Sequence, residues 1–201
     1  GQLYDQDDGA RPDATLERLA KLRPVFDPSG NITAGNSSQV TDGAALLILA
    51  SEKMVEKHQL PVLGVIHDTQ WSGVDPRVMG LGPVHAVHHL LARNQLTLAD
   101  MTAMELNEAF AAQVLGCLKA WNDDHYCTRE LGLNAAWGDF DRERLNVDGG
   151  AIAMGHPVGA SGARIVLHLL HLLNRAQAGS FGVASLCIGG GQGGAMLVQS
   201  V

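Results

Sequence analysis

Two side chains in this sequence stand where they could move a proton beside an acyl group. His156, in "AMGHPVGASGAR", immediately precedes Pro157, and proline is favoured at the first position of a helix. Its imidazole is therefore expected at a helix N-terminus, where the partial positive charge disfavours imidazolium and leaves a neutral base able to deprotonate a thiol. Cys187, in "SLCIGGGQGGAM", ends an apolar run and is followed, after Ile188, by Gly189, Gly190 and Gly191. Backbone without side chains lets an acyl group come close and accept hydrogen bonds from main-chain N–H groups. A capping or packing histidine and an inert cysteine at a strand end are the competing readings of the same two residues.

Asn107, in "ELNEAFA", falls at an expected strand-to-helix junction. There it can cap the helix, with Glu108 as a first-turn acid, or hold a water at the strand ends. His85, His88 and His89 crowd one segment, but no carboxylate or cysteine in that stretch completes a ligand set, and no metal centre is expected. Cys117 falls in a helical run and reads as core; Cys127 has no activating neighbour visible in the sequence. A phosphate-cradling loop is disfavoured, because "GGGQGG" precedes a strand rather than a helix and GxxxxGK[ST] is missing.

The elements that must position these residues alternate. "ATLERLAKL" carries leucines at helical spacing and predicts a short amphipathic helix, whereas the apolar run from Ala44 to Ala50 predicts a buried strand. "VLGVIHDTQW" and "MTAMEL" predict strands, each followed by a helix, in "VHAVHHLLARNQL" and "NEAFAAQVLGCLKAW". Residues 122–143 break the rhythm with acidic and aromatic residues and read as an excursion with one helical turn. A short strand at "RLNV", a long helix from about Val158 to Gln177, and a hairpin of "FGVASLCI" and "GAMLVQSV" complete the order. The long helix is apolar around most of its circumference, so it should lie between two layers, the second supplied from outside this α/β unit.

Composition narrows the partners. The 201 residues are 46% hydrophobic with a net charge of -7, enough apolar sequence for a substantial core and the wrong sign for nucleic acid. Three widely spaced cysteines argue against a disulfide framework and for a reducing compartment. No run of 18 apolar residues and no charged leader is visible, so neither a membrane span nor a signal peptide is expected. The opening "GQLYDQDDGARPDATLERLAKLRP" lacks an initiator methionine and reads as the middle of a longer chain.

In order along the chain, "NEAFA", "NVDGGAIAMGHPVGASGARI" and "LCIGGGQGGAM" resemble the thiolase family, and "TAGNSSQVTDGAA" and "GVDPRVMGLGP" fit it upstream. The resemblance implies an α/β thiolase-like fold: a C-terminal half with a mixed five-stranded sheet and a buried central helix (56–201, with 122–143 as an insertion), plus the tail of an N-terminal half (1–55). It implies transfer of an acyl group to or from coenzyme A, with a carbon–carbon bond made or cleaved in a Claisen-type step. By this resemblance His156 activates a nucleophilic cysteine and, with a water held by Asn107, forms one oxyanion hole. Cys187 is the acid/base, and the Gly189 N–H joins a second oxyanion hole. Ala34 and Ser38 match the pantetheine channel, Met79 and Phe110 its apolar acyl end, and Arg11 a basic position near the nucleotide.

Coenzyme A and acyl-CoA would be substrates, with no tightly bound cofactor. The expected partners are the N-terminal half and further copies of the chain, in the cytoplasm or an organelle matrix. The family's nucleophilic cysteine motif does not occur here, so the chain alone is expected not to turn over. A non-catalytic thiolase-like binding protein is the alternative. A decarboxylating ketoacyl synthase is disfavoured by Cys187 before the glycines and by Asn107 in "NEAF".

Overall fold

The computed structural model describes residue 1, residues 3–7 and residues 9–201. Among these, four strands form one sheet: β1 (Val65–Gly73), β2 (Met101–Leu106), β3 (Phe181–Ile188) and β4 (Gln192–Gln199), in the spatial order β1-β4-β3-β2. β2 runs parallel to β3, while β4 is antiparallel to both β3 and β1. The β3–β4 hairpin closes through Gly189–Gly191, with Ile188 paired to Gln192. Gly190 and Gly191 adopt φ of 85° and 87°, and a Cβ on Gly191 would stand 2.3 Å from the Val74 carbonyl oxygen. Only glycine meets both demands at position 191.

The helices are α1 (Leu16–Leu19), α2 (Glu52–His58), α3 (Gly82–Arg93), α4 (Ala111–Trp121), α5 (Asp124–Glu130), α6 (Ala151–Met154) and α7 (Ser161–Arg175). Strand alternation divides the core between the two faces of the sheet. Met104, Val183 and Leu197 pack with Val87, Leu90 and Leu91 of α3 and with Leu118 and Trp121 of α4. Their sequence neighbours Ala103, Ala184 and Val198 meet Ile165, Leu169 and Leu173 of α7.

Residues 122–143 are better ordered than their composition suggests. They form α5, capped by the Asp123 carboxylate accepting from the Tyr126 N–H at 2.7 Å. The Cys127 thiol, fully buried, donates to the carbonyls of Ala120 and Trp121, and Trp137 and Phe140 seal the core over α4.

Three expectations are corrected. The sheet has four strands, not five. At the expected strand "RLNV" the chain makes one parallel bridge, Leu145 to Met104, before Asn146 turns to φ 46°. The Asn146 amide then completes the pairing, accepting from the Leu106 N–H and donating to the Leu106 carbonyl, both at 2.8 Å.

The run Ala44–Ala50 is not a strand. Leu47 packs toward the α7 cluster, but Leu46 and Ile48 are 90% and 93% exposed. An apolar run becomes a strand only with a ladder beside it, and none of the four strands pairs with this one.

The long helix begins at Ser161, not Val158, because Pro157–Ala160 form a separate turn. One stripe of α7 is fully buried, while Leu167 and Leu172 remain partly exposed on the side the sheet does not cover.

Candidate functional site

Asn107 and Cys187 share one edge of the sheet. β2 ends at Leu106, opposite Ser185, and the Asn107 N–H continues the ladder by donating to the Ser185 carbonyl at 2.9 Å. Cys187 stands two residues further along β3, at the same carboxyl edge. Ligands of open α/β sheets bind outside the carboxyl ends of parallel strands.

The expected capping role of Asn107 is not observed: α4 starts at Ala111, and its cap residue, Phe110, makes no side-chain cap bond. Glu108 is not a first-turn acid of that helix either. Its carboxylate accepts from the Ile152 N–H of α6 and from the Asn146 amide, both at 3.1 Å, tying the Asn107 turn to the segment that leads into His156.

Asn107 is 2% exposed, and its Nδ2 lies 3.4 Å from His156 Nε2. Its Oδ1 is buried and accepts no hydrogen bond from the protein, so a donor from solvent or ligand is needed to satisfy it. His156 Nδ1 stands 2.6 Å from Ser161 Oγ, and Ser161 Oγ donates to the Pro157 carbonyl at 3.1 Å. Gly155, at φ 98°, lets this turn press on Thr41, where a Cβ would come within 2.5 Å of the threonine methyl.

Because His156 lies one turn ahead of α7, the helix dipole is not what keeps it neutral. Burial pushes its pKa below the ordinary 6.5, and the nearby positive charge of Arg164 adds to the effect. The Cys187 thiol, 8% exposed, is pushed above its ordinary value by burial. The site therefore holds a neutral imidazole and a protonated thiol near pH 7, a pair suited to accepting and giving protons.

Residues 37–40 lace the two turns together. Ser37 bridges to Phe110, the Ser38 N–H and hydroxyl both donate to the Ala109 carbonyl, and the His156 N–H donates to the Gln39 carbonyl at 2.7 Å. Phe110 meets Phe26 edge-on at 6.0 Å, a contact no sequence pattern announced.

Ala34 opens a 3-10 turn, Ala34–Asn36, beside a cavity of about 450 Å³ lined by Leu19, Leu22, Pro24, Asn31, Thr33 and Gly35. A second cavity, of about 320 Å³, lies between Thr41–Ala45 and Pro157–Ala160. Met79 is half-buried in the 3-10 segment Pro76–Leu81, and Arg11 is exposed, its guanidinium donating to the Ala10 carbonyl. Gly189 lies in the hairpin loop with open space around its Cα.

The other two cysteines are closed off. Cys117 and Cys127 are both fully buried, and burial raises the Cys117 thiol to about 12. No cluster of metal-ligating side chains occurs among the described residues.

An amide, an imidazole and a thiol are thus gathered toward the carboxyl edge of a mixed sheet in an α/β protein. The chain belongs to the thiolase family: the model "Thiolase, C-terminal domain" matches residues 60–200, and "Thiolase, N-terminal domain" matches residues 2–53. It is 49% identical over 199 residues to the beta-ketoadipyl-CoA thiolase of Pseudomonas knackmussii, covering 99% of this chain and 46% of that protein.

Among solved structures, human mitochondrial 3-ketoacyl-CoA thiolase in complex with CoA superposes with a TM-score of 0.79 at 44% identity, covering 97% of this chain and 45% of that one. The dimeric peroxisomal thiolase of Saccharomyces cerevisiae gives a TM-score of 0.78 at 39% identity, covering 97% and 44%. The chain thus spans about half the length of the relatives it matches.

Proposed function

We propose that this chain supplies the base, the acid/base cysteine and part of the coenzyme A channel of a thiolase that cleaves or forms 3-ketoacyl-CoA. The observation that carries this reading is the contact of Asn107 with His156 at the sheet edge that also carries Cys187, in the order and spacing of the family's motifs.

His156 takes the proton of a nucleophilic cysteine supplied by sequence outside these 201 residues. The burial of Cys117 and Cys127 supports that assignment. The thiolate attacks the 3-keto carbon, whose oxygen is met by the protonated His156 and a water on Asn107. The bond between carbons 2 and 3 then breaks, and Cys187 gives its proton to carbon 2, so that acetyl-CoA leaves and an acyl-cysteine remains. The Cys187 thiolate next takes the proton of an incoming CoA thiol, whose sulfur receives the acyl group and regenerates the cysteine. An enolate beside a thioester is too basic to form in water at pH 7 without such aimed donors, and the Gly189 N–H serves as one of them.

Ala34 and Ser38 line the pantetheine channel, Met79 and Phe110 its acyl end, and Arg11 stands near the nucleotide; coenzyme A is a substrate rather than a resident cofactor. The domain boundary falls at residues 55/56, with 122–143 as an insertion. The dimeric yeast relative supports assembly with further copies. Mitochondrial and peroxisomal relatives support an organelle matrix, or else the cytoplasm. No helix among the described residues is long and apolar enough to cross a membrane. The alternative of a non-catalytic binding protein gains nothing from the relatives, which are named as thiolases.

The test is thiolysis of acetoacetyl-CoA by the chain alone and then mixed with a separately expressed N-terminal thiolase half. Activity is expected only in the mixture, and His156→Ala or Cys187→Ala should lower it at least about 100-fold, the lower range for loss of a general acid or base. Activity from the chain alone would mean that one of its own cysteines is the nucleophile.

A further inference from the structure

We infer that Ser161 is a positioning residue that fixes the tautomer of His156, holding the ring proton on Nδ1 and leaving the Nε2 lone pair free toward Asn107. The inference rests on the functional reading only for its consequence, since the tautomer itself follows from the hydrogen bonds.

Ser161 is fully buried as the first residue of α7, and its Oγ lies between His156 Nδ1 at 2.6 Å and the Pro157 carbonyl oxygen at 3.1 Å. A hydroxyl carries one hydrogen, and a carbonyl oxygen can only accept. With that hydrogen on the Pro157 carbonyl, Oγ has only lone pairs left for the imidazole, and Nδ1 must be the donor. Asn107 Nδ2, itself a donor, then meets the bare Nε2 at 3.4 Å. One hydrogen of the Asn107 amide, the His156 Nδ1–H and the Ser161 hydroxyl each then have an acceptor.

The opposite tautomer breaks this chain at two places. It would turn the Ser161 hydrogen toward Nδ1, leaving two oxygens 3.1 Å apart with none between them, and it would aim an Nε2–H at the Asn107 amide hydrogens. Both are costly beside the buried side chains of Asn107 and Ser161.

The backbone holds the ring as well. The His156 N–H donates to the Gln39 carbonyl, and both the Ala160 and Ser161 N–H groups fold back onto the Pro157 carbonyl. A serine five residues after the histidine is therefore set by the Pro157–Ala160 turn, and the hydroxyl is aimed before any ligand arrives. A base that takes its proton on Nε2 needs this tautomer in advance; with hydrogen already on Nε2, it can only donate.

The test is two-bond 1H–15N correlation on the histidine-labelled chain above the histidine titration range, with the His156 signal assigned by its loss in His156→Asn. The wild type should show hydrogen on Nδ1. Ser161→Ala should move the population toward Nε2–H, and Ser161→Thr, which keeps the hydroxyl, should restore it. In the reconstituted mixture Ser161→Ala should lower kcat by about 10- to 100-fold, as loss of an outer partner that orients a functional histidine does, with KM little changed and Ser161→Thr recovering most of the rate.

A wild-type His156 with hydrogen on Nε2 overturns the inference even if Ser161→Ala fails to fold, and so does a tautomer unmoved in a folded Ser161→Ala. Hydrogen on Nδ1 without thiolysis in the mixture supports this inference and counts only against the functional reading.

Discussion

The two faces of the sheet are finished differently. On the α3/α4 face the core closes within the chain: Trp121 donates its indole N–H to the Val84 carbonyl, Trp137 meets it edge-on at 5.9 Å, and Phe140 is 1% exposed. On the α7 face a single helix covers the sheet, and beyond it apolar side chains meet solvent, among them Val158 at 67%, Leu46 at 90% and Ile48 at 93% exposure. The His156 turn leads into α7 on this less finished face. Monomers seldom leave extended apolar surface bare. The contrast is that packing within this chain is concentrated on one face, while the other, from which the His156 turn leads into α7, leaves large apolar side chains bare.

The largest loss of stability is expected at Trp121. Trp121→Ala removes a fully buried indole and leaves the Val84 carbonyl without that donor, for a loss of about 3–5 kcal/mol. Val158→Ala, just ahead of α7 on the open side, should cost under about 1 kcal/mol, because Val158 is 67% exposed and little of the deleted surface is packed. Urea unfolding of both variants measures the difference. Equal losses would mean that the α7 face is as closed as the other.

Acid should weaken the closed face first. His85 and His88 of α3 sit against Tyr126, Trp137 and His89, with His85 Nε2 3.1 Å from the Tyr126 hydroxyl and the His88 Nδ1 buried without a partner. Burial, and then the charge of neighbouring histidines, pushes both pKa values below 6.5; for His85 only Glu130 pulls the other way. The unfolded chain binds protons near 6.5, whereas the folded chain resists them to lower pH. Stability from this cluster is therefore complete above 6.5 and is lost as pH falls through the lowered folded values. His156 has the same sign. In melting curves taken from pH 7.5 downward, His85→Gln with His88→Gln should flatten the acid slope more than His156→Gln does. The reverse order would put the acid-sensitive groups on the other face.

Much of this arrangement was legible in the sequence because it is local. The two hairpin strands, β1, β2, and helices α3 and α4 follow from short-range periodicity and glycine punctuation. The Asn107–His156 contact follows from motifs that identify a family. What escaped was decided at a distance. Nothing near Ser161 says that its hydroxyl reaches back to His156, since that depends on where Pro157–Ala160 turn. Asn146 replaces a strand with its side chain, which alternation cannot reveal, and Glu108 caps α6 rather than its own helix. The run Ala44–Ala50 reads as a buried strand because sequence records apolarity, not whether a neighbour is present to use it.

The smallest effect on stability, and the sharpest on the open face, is expected from that run. Leu46 and Ile48 touch little, so Leu46→Asp with Ile48→Asp should change unfolding free energy by less than about 0.5 kcal/mol. The same pair adds two charges to an apolar surface of the kind that favours association between copies. Light scattering over a concentration series should show the wild-type chain self-associating and the double variant shifted toward monomer. A wild type that stays monomeric throughout would show that the exposed leucines and isoleucine need no cover, and the α7 face would then be an ordinary surface rather than a half-built interior.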